Sequence, residues 1–278
     1  MDTTKQLYAQ SLNYCVKKFN EIESHVFVDN KITINKEGNN FFIDGVDTLF
    51  KYTSFSWFYY MIENQTISFL SPKLWKDPFE KLFYDENLHF DSNYLNGCIC
   101  FTYKRSKGEE SLWKIFQSDD REPLVKAEFN IQNLFSQLSS MMKTIGLDAS
   151  VYLTMVDYSF ERKDIVKLAN QKRKNGFQSL DDYLTCLSLK RIAFCNEYEI
   201  RFFLVSNNKD LDGDIKGFKY LPCIKRVNLQ PLPFMMNEKK EKYYSQLQKI
   251  YHQGMKDWLI NDKKIGQVYQ SRLYDPLP

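Results

Sequence analysis

The run "CNEYEIRFFLV", Cys195 to Val205, places Glu197, Glu199 and Arg201 at every second position, with Tyr198 and Ile200 between them and Phe202 and Phe203 after. A period of two belongs to a β-strand, whose successive side chains point to opposite faces. Read as one strand over 197–201, the run requires a sheet with one apolar face. The other face must hold two carboxylates and a guanidinium. Such a face is either a catalytic device or a buried ion network, and the rest of the chain has to supply its surroundings.

Other segments supply strands and helices without a regular βαβ rhythm. "KITINKEGNNFFID" reads as two short strands around a glycine-containing turn, and Leu49–Tyr52 as another strand. Thr53 or Ser54 then caps a helix from about Ser56 to Asn64. "TISFLSP", "GCICFTY", "PLVKAEFN", "VYLTMVDYSF" and "IKRVNLQPL" read as further strands. Helical spacing marks residues 3–24, "SLWKIFQ", "QNLFSQLSSMMKTI", "SLDDYLTCLSLKRIAF" and the long "NEKKEKYYSQLQKIYHQGMKDWLIN". The mixture predicts an α+β fold, a split and mostly antiparallel sheet with flanking helices. The expected division is an N-terminal helix and hairpin extension over 1–47, a core over 48–235, and a C-terminal helix packed on the core over 236–278.

Charge and composition exclude several classes. The chain has 278 residues, with 38 basic against 35 acidic side chains and a net charge of +3, too balanced for nucleic-acid binding by bulk electrostatics. The opening "MDTTKQLYAQ" lacks the layout of a signal peptide, and no apolar run has the length of a bilayer span. Six dispersed cysteines read as reduced thiols, so a cytoplasmic protein is expected. His25, His89 and His252 lie far apart, outside any HExxH pattern, and Cys98 with Cys100 forms a lone C-x-C; no metal site is expected. There is neither a Walker A loop nor a glycine-rich dinucleotide fingerprint. Carboxylates, aromatics and hydroxyls remain, a set suited to stabilising a cation or recognising a flat ligand. The basic "KRKN" at Lys172–Asn175 reads as a solvated loop, with a nucleic-acid contact as the alternative.

Several pieces in order, "LFKYTS", "ISFLSPKLWKDPFE", "GCICFTY", "SLWKIF", "NEYEIR" and "IKRVNLQP", resemble the bacterial domain-of-unknown-function family 2971 over roughly residues 48–235. The chain departs from that pattern at Lys76, where Asn is usual before "DPFE", and at Thr102, where Ser is usual. More distantly, the layout resembles an ADP-ribosyltransferase core and proteins of phage defence by abortive infection. That core carries a polar residue on a first strand, a hydroxyl on a second, and a Glu, often as E-x-E, on a third.

The resemblance implies an NAD-using effector of bacterial phage defence or a toxin system. Tyr52 with Lys51, Thr102 with Tyr103, and Glu197 with Glu199 would fill the three slots. Glu199 would stabilise the ribosyl cation as nicotinamide leaves, and Glu197 would orient or deprotonate the acceptor. Arg201 would hold a diphosphate or fix Glu199, and Asp77 and Glu80 would line the cleft. The residues alone leave other readings open: Arg201 pinning the Asp77–Glu80 turn to the sheet, a non-catalytic sensor or interaction module, or a nuclease. The expected partners are a protein or nucleic-acid target and an antitoxin or defence-system protein, without a membrane.

Overall fold

Most strand-like runs of the sequence meet in one nine-stranded sheet, whereas Ile32–Glu37 and Asn40–Ile43 join His25–Phe27 in a separate three-stranded sheet and Thr66–Ser68 pairs with Asp214–Lys216. The strands of the large sheet are β1 (Lys17–Lys18), β2 (Thr48–Ser54), β3 (His89–Phe90), β4 (Asn93–Thr102), β5 (Leu124–Asn130), β6 (Ala149–Met155), β7 (Glu199–Ser206), β8 (Ile224–Leu229) and β9 (Val268–Gln270). The computed structural model describes residues 17–18, 25–27, 32–37, 40–43, 48–103, 109–116, 123–145, 149–211, 213–230 and 250–270. Across the sheet the order is β1-β6-β7-β4-β2-β5-β8-β9, with β3 also paired to β4. All pairings are antiparallel except β8 with β9. Helices α1 (Phe55–Glu63), α2 (Glu109–Phe116), α3 (Ile131–Ile145), α4 (Arg162–Asn175) and α5 (Leu180–Cys186) flank it. The mixed α and β architecture and the large, mostly antiparallel sheet agree with the sequence reading.

The sheet has a seam. β4 pairs with β7 from Glu199↔Thr102 to Ser206↔Tyr94, and β2 pairs with β5 along its whole length. Between these halves, β2 and β4 share only the register pair Phe50↔Thr102. One face nevertheless carries a continuous apolar core across the seam, including Leu153, Phe202, Phe101, Leu49, Phe129 and Val227. Helices α1 and α3 cover it through Phe58, Met61, Leu134 and Leu138. Helix α1 starts where the sequence predicts a cap, with the Ser54 hydroxyl accepting from the Trp57 amide.

The opposite face is divided. On one side Phe203 and Cys98 pack under Tyr183, Leu184 and Leu168 from α4 and α5. On the other, Phe50 and Tyr52 pack under Leu112 and Trp113 of α2. Charged side chains fill the space between the two apolar clusters, where β7, β4 and β2 adjoin.

Several elements differ from the sequence reading. Helicity in "SLDDYLTCLSLKRIAF" stops at Cys186; strand Leu189–Arg191 follows, paired in parallel with Asp157–Phe160, and then the 3-10 turn Ile192–Glu197. Pairing with a strand distant in sequence overrides the local helical spacing. Helix α4 has no counterpart in the sequence reading. It is closed at its start by a reciprocal Glu161–Asp164 capping box and followed by Gly176 at φ 75°, a left-handed conformation that suits glycine. The "KRKN" run, expected as a solvated loop, is instead its last turn, where the basic residues complement the helix dipole and Lys172 pairs with Asp182 at 2.6 Å. The expected helix over 3–24 does not hold at Lys17–Lys18, which is extended and pairs with β6; its other residues lie outside the described ones. Of the long C-terminal helix, residues 250–257 are helical and run into a π-helical turn at Trp258–Asp262; the preceding part lies outside the described residues.

Candidate functional site

Strand β7 starts at Glu199, two residues later than the alternation in the sequence implies. Glu197 closes the 3-10 turn, and Tyr198 takes a left-handed conformation at φ 45° and ψ 55°. A non-glycine residue there costs on the order of 1 kcal/mol, which its surroundings must offset. The Tyr103 amide donates to the Tyr198 carbonyl at 2.9 Å, and the two tyrosine rings meet edge to face at 5.9 Å. The turn therefore delivers Glu197 to the face that Glu199 occupies, although it lies off the strand.

Glu199 and Arg201 alternate normally along β7, opposite Thr102 and Cys100. Their charges close into a ring with two residues from other elements. Glu80 Oε1 takes Arg201 Nη2 at 2.7 Å and Lys190 Nζ at 3.2 Å; Glu199 Oε2 takes the same two nitrogens at 3.0 and 3.3 Å. Glu197 joins through Lys190 at 2.5 Å. Arg201 also donates to the Leu187 carbonyl and lies 4.4 Å from the Trp75 ring centre. No described residue donates to Oε1 of Glu199.

The ring is deeply buried, with Arg201 1%, Glu197 2% and Glu199 5% exposed. Three carboxylates face two cations, so the cluster carries one excess negative charge when all are ionised. Burial raises the Glu197 carboxyl to about 7, and the charge of Glu199 adds to the rise against Lys190. Burial opposes ionisation of Glu199 as well, but Arg201 and Lys190 outweigh it and hold that carboxyl down at about 2. Near neutral pH, Glu199 is therefore a fixed anion and Glu197 is poised to gain or lose a proton.

Both ends of "DPFE" serve this site. Asp77 Oδ1 accepts from the Phe79 amide at 3.0 Å, which sets the turn, and its Oδ2 pairs with Arg191 at 3.2 Å. Glu80 enters the ring. Arg201 thus bridges both Glu199 and the Asp77–Glu80 turn, two pairings that the sequence reading held as alternatives.

The other sequence candidates lie at or near the seam. Thr102 is buried between Glu199 and Phe50 in one register row. Tyr52 points to the same face but sits in the α2 cluster, stacked on Phe116 at 5.4 Å and edge-on to Trp113 at 5.1 Å. Lys51 alternates to the opposite face, where its ammonium donates to the Cys100 carbonyl at 2.9 Å.

Sequence reasoning missed Lys190, Arg191 and Tyr158. The first two were hidden in a segment that reads as helix. Tyr158 accepts the Glu199 amide on its hydroxyl at 3.0 Å, and burial together with the Glu199 charge pushes its own ionisation well above the ordinary range. No group of three or more metal-ligating side chains occurs among the described residues. No helix among them is long and apolar enough to cross a membrane. Comparison of the chain with protein-family models, curated proteins and solved structures finds no match.

Proposed function

We propose that the chain is an ADP-ribosyltransferase-like effector that uses NAD, acting in bacterial phage defence or a toxin system. The observation that carries this reading is one row across three adjacent strands. Glu199, Thr102 and Phe50 are register partners on β7, β4 and β2, at the seam where the apolar packing of that face is interrupted. The glutamate and hydroxyl slots of the transferase layout thus adjoin. The first-strand slot departs from it, because the residue in the row is Phe50 and Lys51 serves the other face.

In this reading the glycosidic bond between ribose and nicotinamide breaks, and neutral nicotinamide leaves. The ribosyl centre becomes cationic, and ionised Glu199, with Oε1 unclaimed by described residues, stabilises it. An acceptor nucleophile forms the new bond and gives its proton to Glu197, whose position near neutrality suits a general base. Lys190, Arg201 and Glu80 hold the two glutamates in place. Proton NMR of NAD with the purified protein tests this. Saturation transfer to NAD is expected for wild type and for Glu199→Gln, and free nicotinamide for wild type alone. Absence of both signals from a protein with an intact thermal transition would overturn the reading.

Closure of the ring favours a second reading. Five ionisable groups bond one another beneath Trp75 and the "DPFE" turn, as a structural clamp would. The chain would then be a non-catalytic sensor or interaction module of a defence system. An inert response to NAD, with partner binding retained in a folded Glu199→Gln protein, would favour it.

A further inference from the structure

We propose that the cleft between the 3-10 turn Glu80–Phe83 and the end of α4 is a binding site for a nucleoside monophosphate. The inference does not rest on the NAD reading, and the cleft shares no lining residue with the Glu199 ring.

The cleft holds about 690 Å³, within the range of small-molecule sites. Its charge is unbalanced. Lys73, Lys81, Lys172 and Arg173 line it against two carboxylates, Asp85 and Glu86. Two of the cations are engaged within the protein: Lys73 pairs with Glu86 at 3.0 Å, and Lys172 with Asp182 at 2.6 Å. Lys81 and Arg173 have no carboxylate partner among the described residues; Arg173 meets the Asn170 side-chain oxygen at 3.4 Å. Both are exposed, one on the 3-10 turn and one on the last turn of α4, so each wall contributes one cation. Two such charges match a phosphate monoester, which carries about −1.5 to −2 near neutral pH. The dipole of α4 opposes an anion at this end with about half a charge, and the full charges of Arg173 and Lys174 outweigh it.

The remaining lining suits the organic part of the ligand. Tyr84 and Phe177 are half-buried beside Leu82 and Leu88. The Tyr84 hydroxyl accepts from Ser71 at 3.2 Å, which fixes the ring, and that ring stacks on no other among the described residues. A base has an aromatic face to lie on. Asp85 is adjacent in sequence. Its Oδ1 accepts the Asn87 amide at 2.9 Å, and its Oδ2 takes no bond from a described residue, leaving an acceptor for a ribose hydroxyl. Inorganic phosphate would leave the aromatic wall unused, and a nucleoside would leave both cations unused. The cleft also adjoins the charged ring through one turn of backbone, because Glu80 enters the ring and Lys81, the next residue, lines the cleft.

Saturation-transfer NMR of the full chain with adenosine, guanosine, cytidine and uridine monophosphate tests this. At least one is expected to bind, and its parent nucleoside and inorganic phosphate should each bind at least about tenfold more weakly. Lys81→Glu and Arg173→Glu should each weaken the nucleotide by about tenfold or more. Lys216→Glu, which reverses an exposed cation outside the cleft, should not. Glu199→Gln should leave nucleotide binding unchanged, so that failure here and failure of the NAD reading show separately. The proposal is overturned if none of the four binds to a protein with an intact thermal transition. It is overturned equally if inorganic phosphate binds as tightly as the nucleotide, if binding ignores both charge reversals in the cleft, or if Lys216→Glu or Glu199→Gln weakens it as much.

Discussion

Glu197 and Glu199 are the same residue type two positions apart, yet their surroundings drive their protons in opposite directions. Burial and the charge of Glu199 place Glu197 at about 7, above its ordinary 4.5; the two cations take Glu199 down to about 2. The stability consequences have opposite signs. Between 4.5 and about 7 the folded state binds the Glu197 proton more tightly than the unfolded chain, so stability falls as pH rises through that window. Glu199 contributes stability that is present above 4.5 and lost as pH falls towards about 2. Glu197→Gln removes the first effect and keeps a polar partner for Lys190. The variant should gain on wild type as pH rises, by up to about 3 kcal/mol. Melting curves of both proteins from acid to mildly basic pH check this. A gap that stays constant with pH would mean that Glu197 titrates at its ordinary 4.5 in the folded protein.

At the scale of elements, the sequence showed most strands but not their limits. The alternation in "NEYEIR" is real, yet Tyr198 breaks the strand and Glu197 reaches the charged face from a turn. Residue types give no sign of a left-handed tyrosine, because its partner Tyr103 lies far away in sequence, just past the end of β4. Glu199, Arg201 and Glu80 were legible as a group because the alternation and "DPFE" both carry local signals. Lys190 was not, since its strand exists only by pairing with Asp157–Phe160. Close approach of elements is equally non-local. The Phe69 carbonyl is held between two glycines: a β-carbon added at Gly97 or at Gly213 would lie 2.1 Å from its oxygen. Gly97→Ala should therefore cost about 1–3 kcal/mol through overpacking between β4 and the neighbouring backbone. Gly254, helical and with open space around it, is the contrasting site, where alanine should stabilise by about 0.5–1 kcal/mol. Urea unfolding of the two variants beside wild type measures both. Equal and small effects would mean that the Gly97 contact relaxes freely.

For the whole molecule, the question is what joins two half-sheets that share a single register pair. The hydrogen-bond ladder does not, since β2 and β4 meet only at Phe50↔Thr102, and the apolar packing of the charged face is interrupted at the same place. The continuous apolar face does. Phe101 on β4 touches Phe202 of β7 at 5.3 Å between ring centres and Phe129 of β5 at 5.7 Å, both edge to face, and so spans the seam. Cooperativity between the halves should depend on this ring more than on any charged group. Phe101→Ala is expected to cost about 3–5 kcal/mol, as buried aromatic truncations do. Its effect on hydrogen exchange should also be unequal. In wild type, the slowest amides of β7 and β5 should open together in the global transition. In the variant, β2, β5 and β8 should lose protection ahead of β6, β7 and β4, because both halves keep their ladders but only the latter is also held by the Arg201 ring. A uniform loss over both halves would place the coupling elsewhere, in the helices α1 and α3 that cover the apolar face. An unequal loss would make the seam a mechanical boundary, with the Glu199 network entirely on one side of it and Phe50 and Tyr52 on the other.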